Sequence, residues 1–404
     1  MAAKKKHWRR FRHRVMRFLG LIVLYPYSKL KYGVKVDRCP EEKRRPYLIL
    51  YNHQTPGDQF FIGMAFRDPV YYMATEDIFS LGWISKLLSW AVAPIPILKQ
   101  TTDVSAIMNC FRIAREGGTI AVAPEGNRTY SGKTEYMRSS IAALAKKLKL
   151  PIALFRIEGG YGVEPRWSDK TRKGKIHAYI GRIIEPEEYA AMTNEELFKE
   201  IRDGLTVNEG KADGLFLSNQ RAEYLERAVY VCPFCGLSEF VSGGNYVTCK
   251  HCGKQIEYGA DKSLSGVGFD FPFHFMTEWY DYQADYIRNL DTSRLTDKPV
   301  YMDEVSLREV IVYHRKELLR KSTELRLYGN RVSFDEGKPN EMVFPFNEVT
   351  AASVLGRNKM NLYTDSKVYQ IKGSKRFNAL KYVHFYYRYR QIFRGDENGE
   401  FLGL

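Results

Sequence analysis

The sequence has little of what a membrane-spanning or disulfide-stapled protein needs. Its N-terminal apolar stretch, "FLGLIVLY", covers only residues 18–25, against the roughly 20 consecutive apolar residues that cross a bilayer. Six cysteines are spread thinly over 404 residues, and four of them form two C-x2-C pairs, which fits metal binding in a reducing compartment better than a disulfide framework. Cys39 and Cys110 stand alone and read as ordinary half-buried thiols. No Ser or Cys occupies an elbow motif that would make it a covalent nucleophile. There is no internal repeat, no low-complexity segment beyond a basic start, and no acidic residue before Asp37.

Hydrophobic residues make up 44% of the chain, enough for a sizeable core divided over two or three domains. Lys and Arg outnumber Asp and Glu by 62 to 47, and eleven of the basic residues precede Asp37, so a basic partner surface belongs to the N-terminus. In "KKKHWRRFRHRVMRFLGLI", residues 4–22, Trp8, Phe11, Val15, Phe18 and Ile22 recur at helical spacing. Arg9, Arg10, Arg12, Arg14 and Arg17 project elsewhere on the same wheel. That is a basic amphipathic helix suited to an anionic membrane surface. A signal peptide shares the basic start, but no small-residue cleavage site follows in "YPYSKLKYG". A nucleic-acid tail and a plain solvated helix are the other readings.

From about Pro46 to Pro186 short apolar runs alternate with helix-like segments. "YLILYN", "PVYYMAT", "GTIAVAP", "LPIALFRIEG" and "KIHAYIGRII" read as strands, and "DVSAIMNCFRIAREG" and "SSIAALAKKLKL" as helices. The alternation predicts an α/β fold, a largely parallel sheet flanked by helices, with ligands near the carboxyl ends of the strands. A charged helical piece, "SNQRAEYLERAVY", is expected to lead out of this domain. In the last ~90 residues "ELRLYGNRVSF" is a hairpin signal turning at Gly329 and Asn330. "VTAASVL", "KMNLYT" and "VYQIK" continue the strand rhythm, and a final helix carries Phe377, Leu380, Val383 and Tyr387 on one face.

Two stretches carry chemistry. In "LILYNHQTPGDQFF" an apolar strand ends at His53, and Thr55-Pro56-Gly57-Asp58 looks like a helix start with Thr55 as N-cap, Pro56 at N1 and Asp58 at N3. On a continuous helix His53 and Asp58 would be about 140° out of phase, so the break between them is what can fold them together. Asp58 can then accept the imidazole Nδ1 proton and leave Nε2 to take one from a hydroxyl. The bland alternative is a loop histidine beside a capping aspartate. In "IAVAPEGNRTYSGK" a second strand runs into Glu125, Gly126, Asn127 and Arg128, where glycine permits close backbone approach and Arg128 offers a planar fork for a phosphate. Between the two, "APIPILKQTTD" contributes Lys99 as a further point charge or as a solvated surface lysine.

At these residues the chain resembles the glycerolipid (1-acylglycerol-3-phosphate, lysophosphatidate) acyltransferase family. "NHQTPGD" is similar to the family's N-H-x4-D signature, "APEGNRTYSG" to its P-E-G-T-R-S block, "PIPILKQ" to the intermediate block and "LPIALFRIEGG" to the later apolar one. The resemblance covers about residues 30–200. It implies transfer of a fatty acyl group from acyl-CoA or acyl-carrier protein to the free hydroxyl of lysophosphatidate, yielding phosphatidic acid in phospholipid biosynthesis. Under it His53 is the general base, Asp58 its orienting partner, and Lys99, Glu125, Gly126 and Arg128 bind the substrate phosphate. Asn127 replaces the usual Thr, and Lys99 stands where the family often has Arg. Another lysolipid or glycerol-3-phosphate is the alternative acceptor. A catalytically silent lipid- or nucleic-acid-binding zinc-ribbon protein is the alternative from another class.

Cys232, Cys235, Cys249 and Cys252, each pair followed by Gly, form a zinc-ribbon signature for a structural, four-thiolate Zn(2+). Such a closed site has no open position for hydrolysis, and His251 reads as a solvated neighbour. A pI of 9.3 beside a zinc ribbon also raises nucleic acid as a partner. The ribbon is poor in basic residues, chiefly Lys250 and Lys254, so nucleic acid is not expected. The last segment resembles a PH or GRAM-like domain in which Arg357, Lys359, Lys372, Lys375 and Arg376 face either lipid headgroups or plain solvent. The expected organisation is a membrane-interface segment over 1–35, an acyltransferase domain over 36–228, a zinc ribbon over 229–258, a connector over 259–308 and the β-rich PH/GRAM-like domain with its helix over 309–404. The expected partners are membrane lipid, a lysophospholipid acceptor and an acyl donor, at the cytoplasmic face of the cell membrane as a peripheral protein.

Overall fold

The structure, a computed structural model, describes residues 7–40, 45–75, 78–97, 103–311 and 314–395. The chain forms two compact units, one of residues 1–165 and 173–209, the other of 166–172 and 210–404.

The first unit contains helices α1 (Phe11–Tyr32), α2 (Asp58–Ala65), α3 (Trp83–Ala91), α4 (Val104–Arg115), α5 (Ser140–Leu148), α6 (Gly160–Val163), α7 (Pro186–Ala190) and α8 (Asn194–Leu205). Its strands are β1 (Val34–Val36), β2 (Leu48–Tyr51), β3 (Val70–Thr75), β4 (Ile95–Ile97), β5 (Thr119–Val122), β6 (Ile152–Glu158) and β7 (Ile176–Ile184). They make one sheet in the order β1-β7-β6-β2-β5-β3-β4. The five strands from β6 to β4 are all parallel, whereas β7 runs antiparallel to β6 and carries β1 alongside it in parallel. The sheet is therefore largely parallel, as the alternation of runs predicts. Leu48, Ile49, Leu50 and Tyr51 of β2 are all buried, because helices cover both faces of a central parallel strand. Ile113, Ile141, Leu148, Leu197 and Ile201 supply helix side chains to the same core as Leu48, Ile120 and Ile152.

The N-terminal helix differs from expectation in place and in what it buries. It begins at Phe11 and continues to Tyr32 through Pro26, and Trp8 precedes it. The Glu116 carboxylate accepts the backbone N–H groups of Trp8 at 3.1 Å and Arg9 at 2.8 Å, which holds this stretch out of the helix. The Trp8 indole then donates to Ala93 O at 3.3 Å and packs against the core. Along α1 it is polar side chains that turn inward. His13 and Ser28 are buried, and Arg17 donates to the Gly63 and Phe66 carbonyls at the end of α2. Burial lowers the pKa of His13, whose Nδ1 lies 3.0 Å from the Tyr71 hydroxyl. Phe11, Phe18, Ile22, Val23 and Leu30 face outward, Leu30 with 88% of its surface exposed. No helix among the described residues is long and apolar enough to cross a membrane.

The second unit opens with β8 (Val231–Cys232) paired to β9 (Gly236–Leu237), then β10 (Phe240–Gly243), β11 (Tyr246–Cys249), β12 (Gln255–Tyr258) and β13 (Leu264–Gly266) as a four-stranded antiparallel sheet. Helix α9 (Met276–Arg288) follows and buries Trp279, whose indole donates to Val231 O at 2.9 Å. Seven antiparallel strands come next: β14 (Tyr301–Ile311), β15 (Arg315–Leu327), β16 (Arg331–Phe334), β17 (Met342–Pro345), β18 (Ala351–Leu355), β19 (Lys359–Tyr363) and β20 (Val368–Gly373). Their order is β17-β16-β15-β14-β20-β19-β18, a curled sheet beside the final helix α10 (Ala379–Arg394). The Gly329-Asn330 turn joins β15 to β16 with Leu327 opposite Val332.

The expected charged helix at "SNQRAEYLERAVY" is absent. Residues 221–228 form turns and one 3-10 turn, Leu225–Arg227, preceded by Tyr224 at φ +73°. Its charges are buried rather than solvated: Arg227 forms a two-pronged ion pair with Asp169 at 2.9 and 3.0 Å. Asp169 is held below the usual carboxylate range, since its pairing with Arg227 outweighs the opposing effect of burial, which is the largest single one.

Candidate active site and cysteine cluster

Strands β2 and β5 are neighbours and parallel, so their carboxyl ends deliver His53 and Glu125 to the same edge of the sheet. Asn52, fully buried, fixes the exit of β2: its amide donates to Ile157 O and accepts from Ile157 N, both at 2.8 Å. Asn52→Ala strands that buried N–H and C=O together. We expect a loss of about 2–5 kcal/mol in stability, read as a lower urea midpoint with an unchanged slope.

The chain then turns sharply. Thr55 Oγ1 accepts Gly57 N at 3.0 Å, closing a separate turn, and α2 starts at Asp58 with Gly57 as its N-cap. The helix thus begins two residues later than a Thr55 cap implies. Gly57 is required here because a Cβ would come 2.8 Å from the Tyr32 ring.

This fold-back brings His53 Nδ1 to 2.7 Å from Asp58 Oδ2. Asp58 is fully buried and also accepts Gln54 N at 2.7 Å, Thr55 N at 2.9 Å and the Thr55 hydroxyl at 2.7 Å. Four donors therefore surround the Asp58 carboxylate at the N-terminus of α2. His53, with a quarter of its side chain exposed, keeps Nε2 for another partner.

The second loop is tied to the first through backbone. Glu125 Oε1 accepts His53 N at 2.9 Å and Oε2 accepts Glu135 N at 2.8 Å, while Thr129 N donates to His53 O at 3.3 Å. Gly126 adopts φ +70°, the left-handed region that favours glycine. Asn127 and Arg128 follow on the same turn, half-buried. Glu135, to which the sequence drew no attention, accepts from the Thr129 hydroxyl at 3.1 Å and from Tyr130 N at 3.4 Å. Lys99 lies outside the described residues.

Burial pushes Glu125 up to about 8; the two N–H donors pull it down, and the charges of Glu135 and Asp58 push it further up. A carboxyl whose folded pKa exceeds its unfolded value keeps a proton that the unfolded chain releases. Its contribution is fully present below the unfolded value, 4.5, and is lost as pH rises towards 8. We expect urea-unfolding free energies to fall between about pH 5 and pH 8, and Glu125→Gln to flatten that slope.

Separately, in the second unit, the Sγ atoms of Cys232, Cys235, Cys249 and Cys252 all lie within 4.8 Å of one another. The Cys232–Cys252 separation is 3.7 Å and the Cys235–Cys249 separation 3.6 Å. These are too long for a disulfide and match the roughly 3.8 Å expected between thiolates of a tetrahedral ZnS4 centre. Gly236 and Gly253 follow the two pairs at φ +78° and +73°, the left-handed turns that close each knuckle. Burial raises the Cys249 thiol, but backbone N–H groups of Cys252 and His251 and the Ser238 hydroxyl outweigh it and hold the group at about 7.

An acyltransferase family model matches residues 34–157, which include both loops. The chain is 22% identical over 194 residues to the 1-acyl-sn-glycerol-3-phosphate acyltransferase of Bacillus subtilis, covering 46% of this chain and 93% of that protein. It is 20% identical to the chloroplastic 1-acyl-sn-glycerol-3-phosphate acyltransferases BAT2 of Brassica napus and LPAT1 of Arabidopsis thaliana, and spans about half the length of each, 52%. Among solved structures, the 1-acyl-sn-glycerophosphate acyltransferase PlsC from Thermotoga maritima aligns with a TM-score of 0.38 and 20% identity, over 47% of this chain and 75% of that one.

Proposed function

From the membership of residues 34–157 in the glycerolipid acyltransferase family, we propose that this acyltransferase moves a fatty acyl group from acyl-CoA or acyl-carrier protein to the hydroxyl of lysophosphatidate, making phosphatidate. The observation that carries the reading is the 2.7 Å contact between His53 Nδ1 and the fully buried Asp58. Asp58 holds the Nδ1 proton, so Nε2 takes the proton of the acceptor hydroxyl as its oxygen attacks the thioester carbonyl. The C–S bond then breaks, and the imidazolium returns its proton to the leaving thiolate. Gly126 and Arg128 serve the phosphate side, while Glu125, through its contacts to His53 and Glu135, keeps the two loops in register.

The outward apolar face of α1 and its arginines support a peripheral position on the cytoplasmic face of the cell membrane, where the acceptor lipid resides. The four cysteines hold a structural zinc on this reading, which cross-links the ribbon and takes no part in acyl transfer. The curled antiparallel sheet with its closing helix α10 supports a PH/GRAM-like domain.

The test is thiol release from acyl-CoA or acyl-carrier protein with lysophosphatidate in vesicles. Release that requires both substrates supports the proposal. Release only with another lysolipid or glycerol-3-phosphate would reassign the acceptor, and none with any pair would leave a lipid-binding role.

A further inference from the structure

The membrane reading above rests on α1. Building on it, we propose that α3 is a second lipid-contacting element, and that α1 and α3 form one docking face for an anionic bilayer surface. Helix α3 buries its small residues Ser85 and Ala91 and exposes Trp83, at 72%, together with Ile84, Leu87 and Trp90. Ser85 turns inward because its hydroxyl donates to Ile78 O at 2.6 Å and accepts Leu81 N at 2.8 Å. Leu81 before the helix and Val92 after it extend the exposed apolar surface. Single exposed apolar side chains are ordinary, but two touching helices that both present apolar residues to water are not.

The helices are joined directly. Arg12 Nε of α1 donates to Trp90 O at 2.9 Å, and its guanidinium lies 5.3 Å over the Trp90 ring. Charge selects the occupant. Neither helix contains an acidic residue, whereas α1 presents Arg12, Arg14 and Lys29 and α3 presents Lys86; Arg17 and Lys31 are engaged with the α2 carbonyls and with Glu164 instead. A second copy of this face would repel the first, while an anionic lipid layer supplies negative headgroups and apolar depth at one surface. Trp83 and Trp90, two helical turns apart, are of the residue type enriched where acyl chains meet headgroups. The face is also joined to the reacting loop, since Tyr32 at the end of α1 packs against Gly57.

The test uses the full chain and substrate-free phosphatidylcholine vesicles containing about 30% phosphatidylglycerol, with and without bromine on the acyl chains. Trp167 and Trp279 are fully buried and Trp8 is half-buried, so quenching reports chiefly on Trp83 and Trp90. The expected result is quenching of the wild type by brominated lipid, and a loss of about tenfold or more in vesicle partitioning for Trp83→Ser/Leu87→Ser. Both positions are exposed, and circular dichroism checks that the fold is kept. Partitioning of that variant equal to wild type would overturn the proposal and leave α1 as the sole contact. A lipid-free dimer in which these tryptophans are already shielded from aqueous quencher would also overturn it. Because no substrate is present, failure here leaves the acyltransferase reading intact, and failure of that reading leaves this result standing.

Discussion

His53→Ala is expected to lower the rate of thiol release by about 10²–10⁴-fold while the protein keeps its melting temperature within a few degrees. The magnitude is that of a positioned general base. The fold survives because the imidazole is a quarter exposed and packs edge-on to Tyr51 at 5.8 Å, whereas the structural bonds at this position, to Glu125 and Thr129, are made by the His53 backbone. Asp58→Asn separates orientation from chemistry. An amide cannot accept on both atoms, so it disturbs the donors from Gln54, Thr55 and His53 together. We expect this variant to lose both activity and stability. Thiol release unchanged in His53→Ala would remove the general base from the mechanism.

The second large effect concerns the cysteine cluster. Metal analysis of purified protein should return one zinc per chain, and a strong chelator at neutral pH should unfold the ribbon. Zinc binding to such four-ligand sites is worth about 10–16 kcal/mol, more than the stability of most domains. The module's own core is small: the sheet of strands β10 to β13 contributes Phe240, Val247, Cys249, Ile256, Tyr258 and Leu264 as buried hydrophobic side chains, and the rest of its support comes from outside it, as in the Trp279 bond to Val231. Cys249→Ser should therefore act like chelation, with loss of the metal and of near-ultraviolet signal from the aromatic residues around α9. If the protein is metal-free and its melting curve ignores the chelator, the cluster is a set of ordinary thiols.

Sequence patterns carried far where burial follows the usual rule, and little where it does not. Strands β2, β3, β5, β6 and β7 and helices α4 and α5 are legible because their apolar residues face inward at the periods of their elements. Helix α3 shows no such inward period, since it buries Ser85 and Ala91 and turns Trp83 and Leu87 out. Strands β1 and β4 have three residues each, too few to display any period. In the candidate site, His53 and Asp58 are legible because their partnership is local, five positions apart. The clamp of Asn52 on Ile157 spans 105 positions, and nothing in "YLILYN" says where that amide will point. Glu135 escaped for a related reason: its tie to Glu125 runs through a backbone N–H that any residue would supply. The stretch "SNQRAEYLERAVY" reads as a charged helix, but its backbone follows distant partners: Arg227, almost wholly inaccessible, pairs with Asp169, 58 positions away.

The chain passes between the two compact units three times, after residues 165, 172 and 209. This ordering bears on synthesis. When residues 166–172 leave the ribosome, Trp167 and Arg172 have only each other, at 5.0 Å, of the partners they keep in the fold: Arg172 also stacks on Tyr258 at 4.6 Å and donates to Arg221 O, and Arg166 donates to Val354 O at 3.3 Å. A nascent chain must carry a bare tryptophan and two arginines through the completion of β7 and wait nearly two hundred residues for the last of these contacts. A gene cut after residue 209 would make that interval permanent, so the catalytic unit made alone should be poorly soluble unless the heptapeptide is replaced by a short polar loop.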